Sequence, residues 1–404
     1  MIRNSKVKNK MKMKHLSLYI HIPFCVRKCD YCDFLSAPAD DATKEAYVQA
    51  LLLELESYAD SVLAERKVKT VFIGGGTPSV LEEGQIVRIL YKIKTVFKLE
   101  PGCEISMEIN PGTVDKFKSV CYFDEGINRL SIGLQSADNL FLKRLGRIHT
   151  YEEFLATYDA VRQAGFRNVN IDLMSALPGQ SVRQYLEGLR KVVALSPEHI
   201  SAYSLIIEEG TPFFDKYNNN CDLLPDEQED REMYEGTKEI LAEAGYERYE
   251  ISNYAKTGFE CKHNIVYWER GDYLGIGLGS SSLIDNIRFK NECNLKKYIK
   301  AWISGAGESA RQKDREVLTV QAQMEEFMFL GLRMMRGVSE EAFRRVFGQT
   351  MEEVYGRPIS KMLNQDLLYR RSSERSAASE PGDYIALTDK GIDVSNYVFE
   401  HFLF

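Results

Sequence analysis

Six short apolar runs separated by longer amphipathic segments constrain this chain more than any other feature. The runs are Leu16–Ile22, Thr70–Gly74, Glu104–Asn110, Arg129–Gly133, Asn168–Met174 and His199–Leu205. Each has the length of a strand, and most are rich in Val, Ile, Leu, Tyr and Phe. Helical patterns follow them at Lys44–Ala64, Glu83–Phe97, Val114–Phe123, Tyr151–Ala164, Val182–Leu195 and Gln228–Ala244. Gly165 and Gly245 stand directly after two of these, where glycine ends a helix in the left-handed conformation. Such alternation implies parallel strands joined by crossover helices. Six units fall short of the eight of a closed barrel. The predicted fold is therefore α/β, a partial (β/α)6 barrel over residues 16–245.

Beyond that the pattern changes. Residues 246–320 read as an irregular, hairpin-like extension through YERYEISNYA and CKHNIVYWERGDYLGIGLGSSS. Residues 321–404 become helical again and include a polar-tipped hairpin at RRSSERSAASEPGD, which predicts a small winged-helix-like domain. The first fourteen residues carry six basic side chains and no acid. HLSLYIHIPF follows with two histidines and no small-residue cleavage site, so residues 1–15 read as a basic flexible tail rather than a signal peptide.

A length of 404 residues suits a large domain plus a smaller one. The net charge of −7 argues against a general nucleic-acid binder. The tail DKGIDVSNYVFEHFLF has no basic face, so the C-terminal domain reads as a lid or partner-docking unit. No apolar stretch approaches the roughly 20 residues that cross a bilayer. The expectation is a cytoplasmic protein with at most peripheral membrane contact.

Eight cysteines occur, at 25, 29, 32, 103, 121, 221, 261 and 293. A large acidic chain without a signal does not use them as a disulfide framework. The scattered five read as small buried hydrophobes. The other three lie in HIPFCVRKCDYCDF, just past the first strand, where Cys25, Cys29 and Cys32 can each take one iron of a cubane. No fourth ligand lies nearby, and position 33 is Asp. One iron is left open to chelate the amino and carboxylate groups of a methionine moiety. The alternative on this motif alone is a structural zinc site completed by His21 or a distant residue.

Polar residues recur at the ends of successive strands, where a parallel barrel builds its site. Gly74-Gly75-Gly76-Thr77-Pro78 follows the second, letting main chain approach a small ligand. The third ends in Glu108-Ile109-Asn110, offering a carboxylate to ribose hydroxyls. The fourth ends in Gly133-Leu134-Gln135, with Arg147 just beyond. Asp172 sits inside the apolar fifth strand and needs a partner, for which Arg147 is the candidate. Singly, each residue is as readily a salt bridge or a turn; jointly they favour a cofactor site.

With these motifs the chain resembles the radical S-adenosylmethionine (SAM) superfamily, and within it the oxygen-independent coproporphyrinogen oxidase branch. The resemblance runs from about Leu16 to the C-terminus, where LTDKGIDVSNYVFEHFL is similar to the branch's C-terminal helical domain. It implies a [4Fe–4S] cluster on Cys25, Cys29 and Cys32. It implies SAM contacts from Tyr19, Tyr31, Gly75, Gly76, Thr77, Glu108, Gln135, Arg147 and Asp172. Two lineages share this frame. The oxidase has a further cysteine where this chain has Asp33, and a long segment ahead of the cluster. The HemW-type haem chaperones carry HNxxYW, matched by His263-Asn264-Ile265-Val266-Tyr267-Trp268. By that likeness haem is cargo, passed to acceptor haemoproteins, and the protein is a chaperone more than an enzyme. His263 could ligate haem iron, with Tyr267 and Trp268 covering the porphyrin and Cys261 as another ligand. The plainer reading gives these residues a structural role in a loop and a core. The chain departs from the lineage at Gly275–Ser282, which lacks the histidine of a GxGAHS-like stretch. A homodimer is compatible with this reading. The rival function is coproporphyrinogen oxidation, or another radical-SAM reaction on a tetrapyrrole.

Overall fold

The computed structural model describes residues 15–218, 223–373 and 382–404. Most of the basic tail, Cys221 and the centre of the polar hairpin tip lie outside the described residues.

The six predicted strands form and lie side by side in chain order, all parallel: β1 (His15–Ile22), β2 (Lys67–Gly75), β3 (Lys98–Ile109), β4 (Arg129–Gln135), β5 (Val169–Ser175) and β6 (His199–Ser204). β4 is buried along its whole length, although its sequence alternates polar with apolar residues. The period of two then sorts the side chains. On β5, Ile171 and Leu173 join the main apolar core, while Asn170, Asp172 and Met174 face a central cavity.

Several boundaries differ from expectation. β2 starts at Lys67, and β3 reaches back to Lys98, pairing Lys67 with Lys98 and Val68 with Leu99 before a register shift. The first helix spans Asp41–Glu56 rather than reaching Ala64. Past its end the Ser57 and Ser61 hydroxyls donate to the carbonyls of Glu54 and Tyr58. Serine offers the main chain this alternative to continued helix. The crossover helices Glu83–Val96, Lys116–Asp124, Tyr151–Ala164, Val182–Ala194 and Glu227–Glu243 lie within a few residues of their predicted spans.

The sheet does not stop at six strands. β7 (Glu247–Arg248) and β8 (Asn253–Ala255) extend it antiparallel beyond β6. β9 (Tyr273–Ile276) pairs parallel with β1 at the other side, and β10 (Ser281–Ile284), β11 (Ile287–Lys290) and β12 (Lys313–Val317) continue it antiparallel. Part of the segment expected to be irregular is a helix, Lys262–Trp268.

Helix Val320–Gly331 opens a second core, closed by helices Glu340–Phe347 and Met351–Asn364. A small sheet of β13 (Val338–Ser339), β14 (Leu368–Ser373) and β15 (Gly382–Leu387), in the order β13-β15-β14, completes the winged-helix-like unit. The final helix is not continuous: Val394 separates Asp389–Asp393 from Ser395–Glu400. One carboxylate ties this unit to the extension. Glu326, only 5% exposed, accepts from Arg270 Nε and Arg288 Nη2, each at 2.7 Å. Among the described residues no helix is long and apolar enough to cross a membrane.

Candidate cofactor site

The carboxyl ends of β1 to β6 surround a cavity of about 550 Å³. Its lining includes all three clustered cysteines and all nine residues expected to contact SAM. The cysteine loop hangs from the end of β1 and is pinned by main chain. Gly76 N donates to Ile22 O at 2.8 Å and Thr77 N to Phe24 O at 2.7 Å. Cys25 N donates to Ala37 O at 3.3 Å, and Asp30 N to Leu145 O at 3.2 Å. The triple glycine is thus required by packing. A Cβ on Gly75, whose φ is +113°, would lie 2.4 Å from the His21 ring, and one on Gly76 would lie 2.6 Å from Phe24 O.

Side chains from the other strands approach the thiols. Thr77 Oγ1 lies 3.5 Å from Cys25 Sγ, and Arg147 Nη1 lies 3.6 Å from Cys29 Sγ. Contrary to the expectation from sequence, Arg147 does not pair with Asp172. Its Nη2 instead donates to Asn110 Oδ1 at 2.7 Å and to Gly133 O at 2.5 Å. Asp172 accepts from Asn170 Nδ2 at 2.6 Å and from Ser131 Oγ at 3.3 Å. Asn170 precedes it by two residues and so shares its face of β5, which makes it the nearer partner. Burial, only partly offset by these bonds, raises the Asp172 carboxyl above its ordinary range. Burial likewise pushes Glu108 up to about 7, although its Oε2 accepts from Gly75 N at 2.9 Å. Tyr19 donates toward His21 Nδ1 at 3.0 Å, and His21 Nε2 meets Leu35 O at 3.0 Å. Both nitrogens of His21 are occupied, so it does not complete a zinc site with the cysteines. Among the described residues no three His, Cys, Asp or Glu side chains converge as a single ion needs. Cubane thiolates have no such need, because each binds a different iron.

The donor set fits an open-cornered cluster with a polar cofactor beside it. Cys25, Cys29 and Cys32 are in no disulfide. Among the described residues five buried polar atoms of the lining lack partners: Arg129 Nε, Gln135 Oε1, Arg147 Nε, His149 Nε2 and Asn253 Oδ1. Burial holds His149 neutral, its pKa lowered to about 3, so one of its ring nitrogens keeps a lone pair. Buried polar atoms are ordinarily satisfied, so these are the atoms a bound ligand would satisfy.

The HNIVYW segment borders the cavity, and its histidine is fully engaged, although Trp268 Nε1 is buried without a partner. His263 is 1% exposed; Nδ1 meets Thr70 Oγ1 at 2.8 Å and Nε2 meets Tyr267 Oη at 2.8 Å. Its ring stacks on Phe72 at 5.2 Å. Burial lowers its pKa to about 3. The helix begins on a carboxylate: Glu104 accepts from Lys262 N at 3.0 Å and His263 N at 3.1 Å. Cys261 is fully buried, and burial pushes its thiol up to about 12. Trp268 packs under the Arg333 guanidinium, 4.4 Å away, from the C-terminal unit. Only His263, Asn264 and Tyr267 of this segment line the cavity. The expected haem ligands His263 and Cys261 therefore offer no free, accessible donor atom here.

Comparison with known proteins accords with this arrangement. The Radical SAM superfamily profile matches residues 19–192, and the HemN C-terminal domain profile matches residues 318–394. The haem chaperone HemW of Lactococcus lactis is 38% identical over 97% of this chain and 98% of its own length. The chain belongs to the HemW haem chaperone family. HemW of Bacillus subtilis is 33% identical over 96% of this chain and 99% of its own. HemW of Escherichia coli is 44% identical over 67% and 70% of the two chains. The coproporphyrinogen III oxidase HemN of Escherichia coli, a radical SAM enzyme, shares the fold at a TM-score of 0.81 and 23% identity, over 96% of this chain and 90% of that one. A [4Fe–4S] cluster and SAM are properties of the superfamily to which HemW proteins belong.

Sequence reasoning missed several residues that shape this HemW site. Asn110 bridges Arg147 and Thr77, donating to Thr77 Oγ1 at 2.6 Å. Arg129 brings a guanidinium only 2% exposed to the cavity wall. His149 follows the noted Arg147 by two positions; nothing in its spacing marked it out.

Proposed function

We propose that this chain is a haem chaperone that holds a [4Fe–4S] cluster on Cys25, Cys29 and Cys32, binds SAM beside it, and passes haem to acceptor haemoproteins in the cytoplasm. The observation that carries the reading is the full-length likeness to the HemW protein of Lactococcus lactis. The cavity's chemistry supports it.

When bound, the cluster and SAM supply one-electron chemistry at a sulfonium. The chain's own residues do the holding. Arg147, fixed by Asn110 and Gly133 O, places a cation beside the thiolates and offers Nε to a carboxylate. Glu108 and Asp172 are positioned to accept from ribose hydroxyls, a role in which the hydroxyls restore part of the solvation lost on burial. Gln135 presents its unpartnered oxygen from the end of β4. Tyr19 and Tyr31 supply apolar walls.

The reading is tested with anaerobically reconstituted full-length protein. It should carry about four iron and four sulfide per chain, shift the Soret band of added haemin, and deliver that haem to an apo-haemoprotein. Conversion of coproporphyrinogen in the presence of SAM and a reductant would overturn the chaperone assignment in favour of the oxidase.

A further inference from the structure

Four large apolar side chains that line the cavity are also more than half exposed: Val26 (57%), Phe34 (61%), Ile148 (54%) and Ile206 (69%). Being both exposed and lining, they stand at its mouth. Single exposed apolar residues are ordinary, but four around one opening form a patch that water covers at a cost. Two exposed cations lie on the same loop. The Arg27 guanidinium is 61% exposed and approaches a carboxylate, Asp30, only at 4.0 Å. Lys28 spends one proton on Phe34 O at 3.0 Å and retains two.

We infer that this mouth, and not the HNIVYW segment, is where haem docks, its apolar face on Val26, Phe34, Ile148 and Ile206 and its propionates toward Arg27 and Lys28. The inference rests on the haem-chaperone reading and deepens it by naming the surface. Three observations select the ligand. An extended apolar rim suits a flat hydrophobic ring system better than the polar interior does. Paired cations at one side suit two carboxylates, whereas Asp33 and Glu208, also exposed at the mouth, repel them and confine the propionates to the Arg27–Lys28 side. The alternative ligands His263 and Cys261 are buried, and both nitrogens of His263 are hydrogen-bonded. A cargo held by surface contact, without a buried iron ligand, can also leave quickly for an acceptor.

The test is a haemin titration of full-length, cluster-loaded protein, read at the Soret band. The variants are Val26→Ser/Phe34→Ser, Arg27→Ala/Lys28→Ala and, as control, Phe117→Ser, an exposed apolar residue on helix Lys116–Asp124. The apolar pair should raise Kd about tenfold, and Phe117→Ser should leave it unchanged. The basic pair should raise Kd for haemin about threefold to tenfold, yet not for haemin dimethyl ester, whose propionates carry no charge. Haem binding untouched by either pair would overturn the docking surface while leaving the chaperone reading in place. Loss of transfer to an acceptor with haem affinity intact would overturn it too, assigning the mouth to the acceptor protein. Equal effects of the basic pair on haemin and its ester would overturn the propionate assignment. No Soret response in the wild type would instead sink the chaperone reading itself.

Discussion

The cysteine loop and the HNIVYW helix both border one cavity, and they spend their polar atoms in opposite ways. The loop's thiols are in no disulfide and receive only long contacts from Thr77 and Arg147, the flanking Val26, Arg27 and Phe34 are exposed, and its shape is fixed by main-chain hydrogen bonds. In the helix, His263 has both nitrogens engaged, and the first N–H groups end on Glu104. A region whose donors are free is equipped to bind; one whose donors are satisfied is equipped to hold its neighbours in place. Two motifs with metal-ligating residue types thus carry different duties, and burial with hydrogen bonding tells them apart.

The largest effect that sharpens this contrast is on the loop. Cys25→Ser, Cys29→Ser or Cys32→Ser should each abolish the cluster, seen as loss of iron and of brown colour, with almost no change in Tm. A large drop in Tm would mean that the loop is structural after all. Glu326→Ala comes next, on the latch rather than on either motif. It leaves the buried Arg270 with Asn286 as its remaining partner, while Arg288 is solvated, and should cost about 3 kcal/mol in urea unfolding. His263→Ala should behave as the reverse of the cysteine variants. It leaves the Tyr267 hydroxyl unpaired beside a cavity, while Thr70 Oγ1 keeps its bond to Ser17 Oγ at 2.8 Å, and should cost about 2–3 kcal/mol, with cluster content intact. Loss of haem binding without loss of stability would break the comparison and return His263 to ligand duty. The smallest effect is the pH response. Glu54 and Glu108 both have carboxyls raised by burial to about 7 from an ordinary 4.5. Between those values the folded chain retains protons that the unfolded chain releases, so stability falls as pH rises through that window. Glu54→Gln or Glu108→Gln should each flatten the slope of Tm against pH between 4.5 and 7.

The parallel strands were legible because short apolar-rich runs, such as Leu130, Ile132 and Leu134 of Arg129–Gln135, alternate with longer amphipathic segments. The cysteine motif was equally readable, since its ligands are local. What escaped depended on distant contacts. Helix Lys262–Trp268 has only seven residues, and Cys261 at its start makes no side-chain cap. Its N-terminal donors are satisfied by Glu104, more than 150 positions away. The strands of the extension have two to five residues, too few to establish a period. The misassigned partner of Asp172 has a different cause. Arg147 follows the short helix Asn139–Arg144 and Asp172 lies within β5, so which side chains meet is decided by the pleat, which puts Asn170 on the same face as Asp172.

The bonds from Gly76 and Thr77 to the carbonyls of Ile22 and Phe24 join the thiol-bearing turn and the glycine turn into one backbone unit. Spacing between the two turns is therefore inherited from peptide geometry, which substitutions elsewhere on the rim leave alone. Mutational drift around the rim is free to retune which guest is welcomed, while the metre stick inside stays the same length.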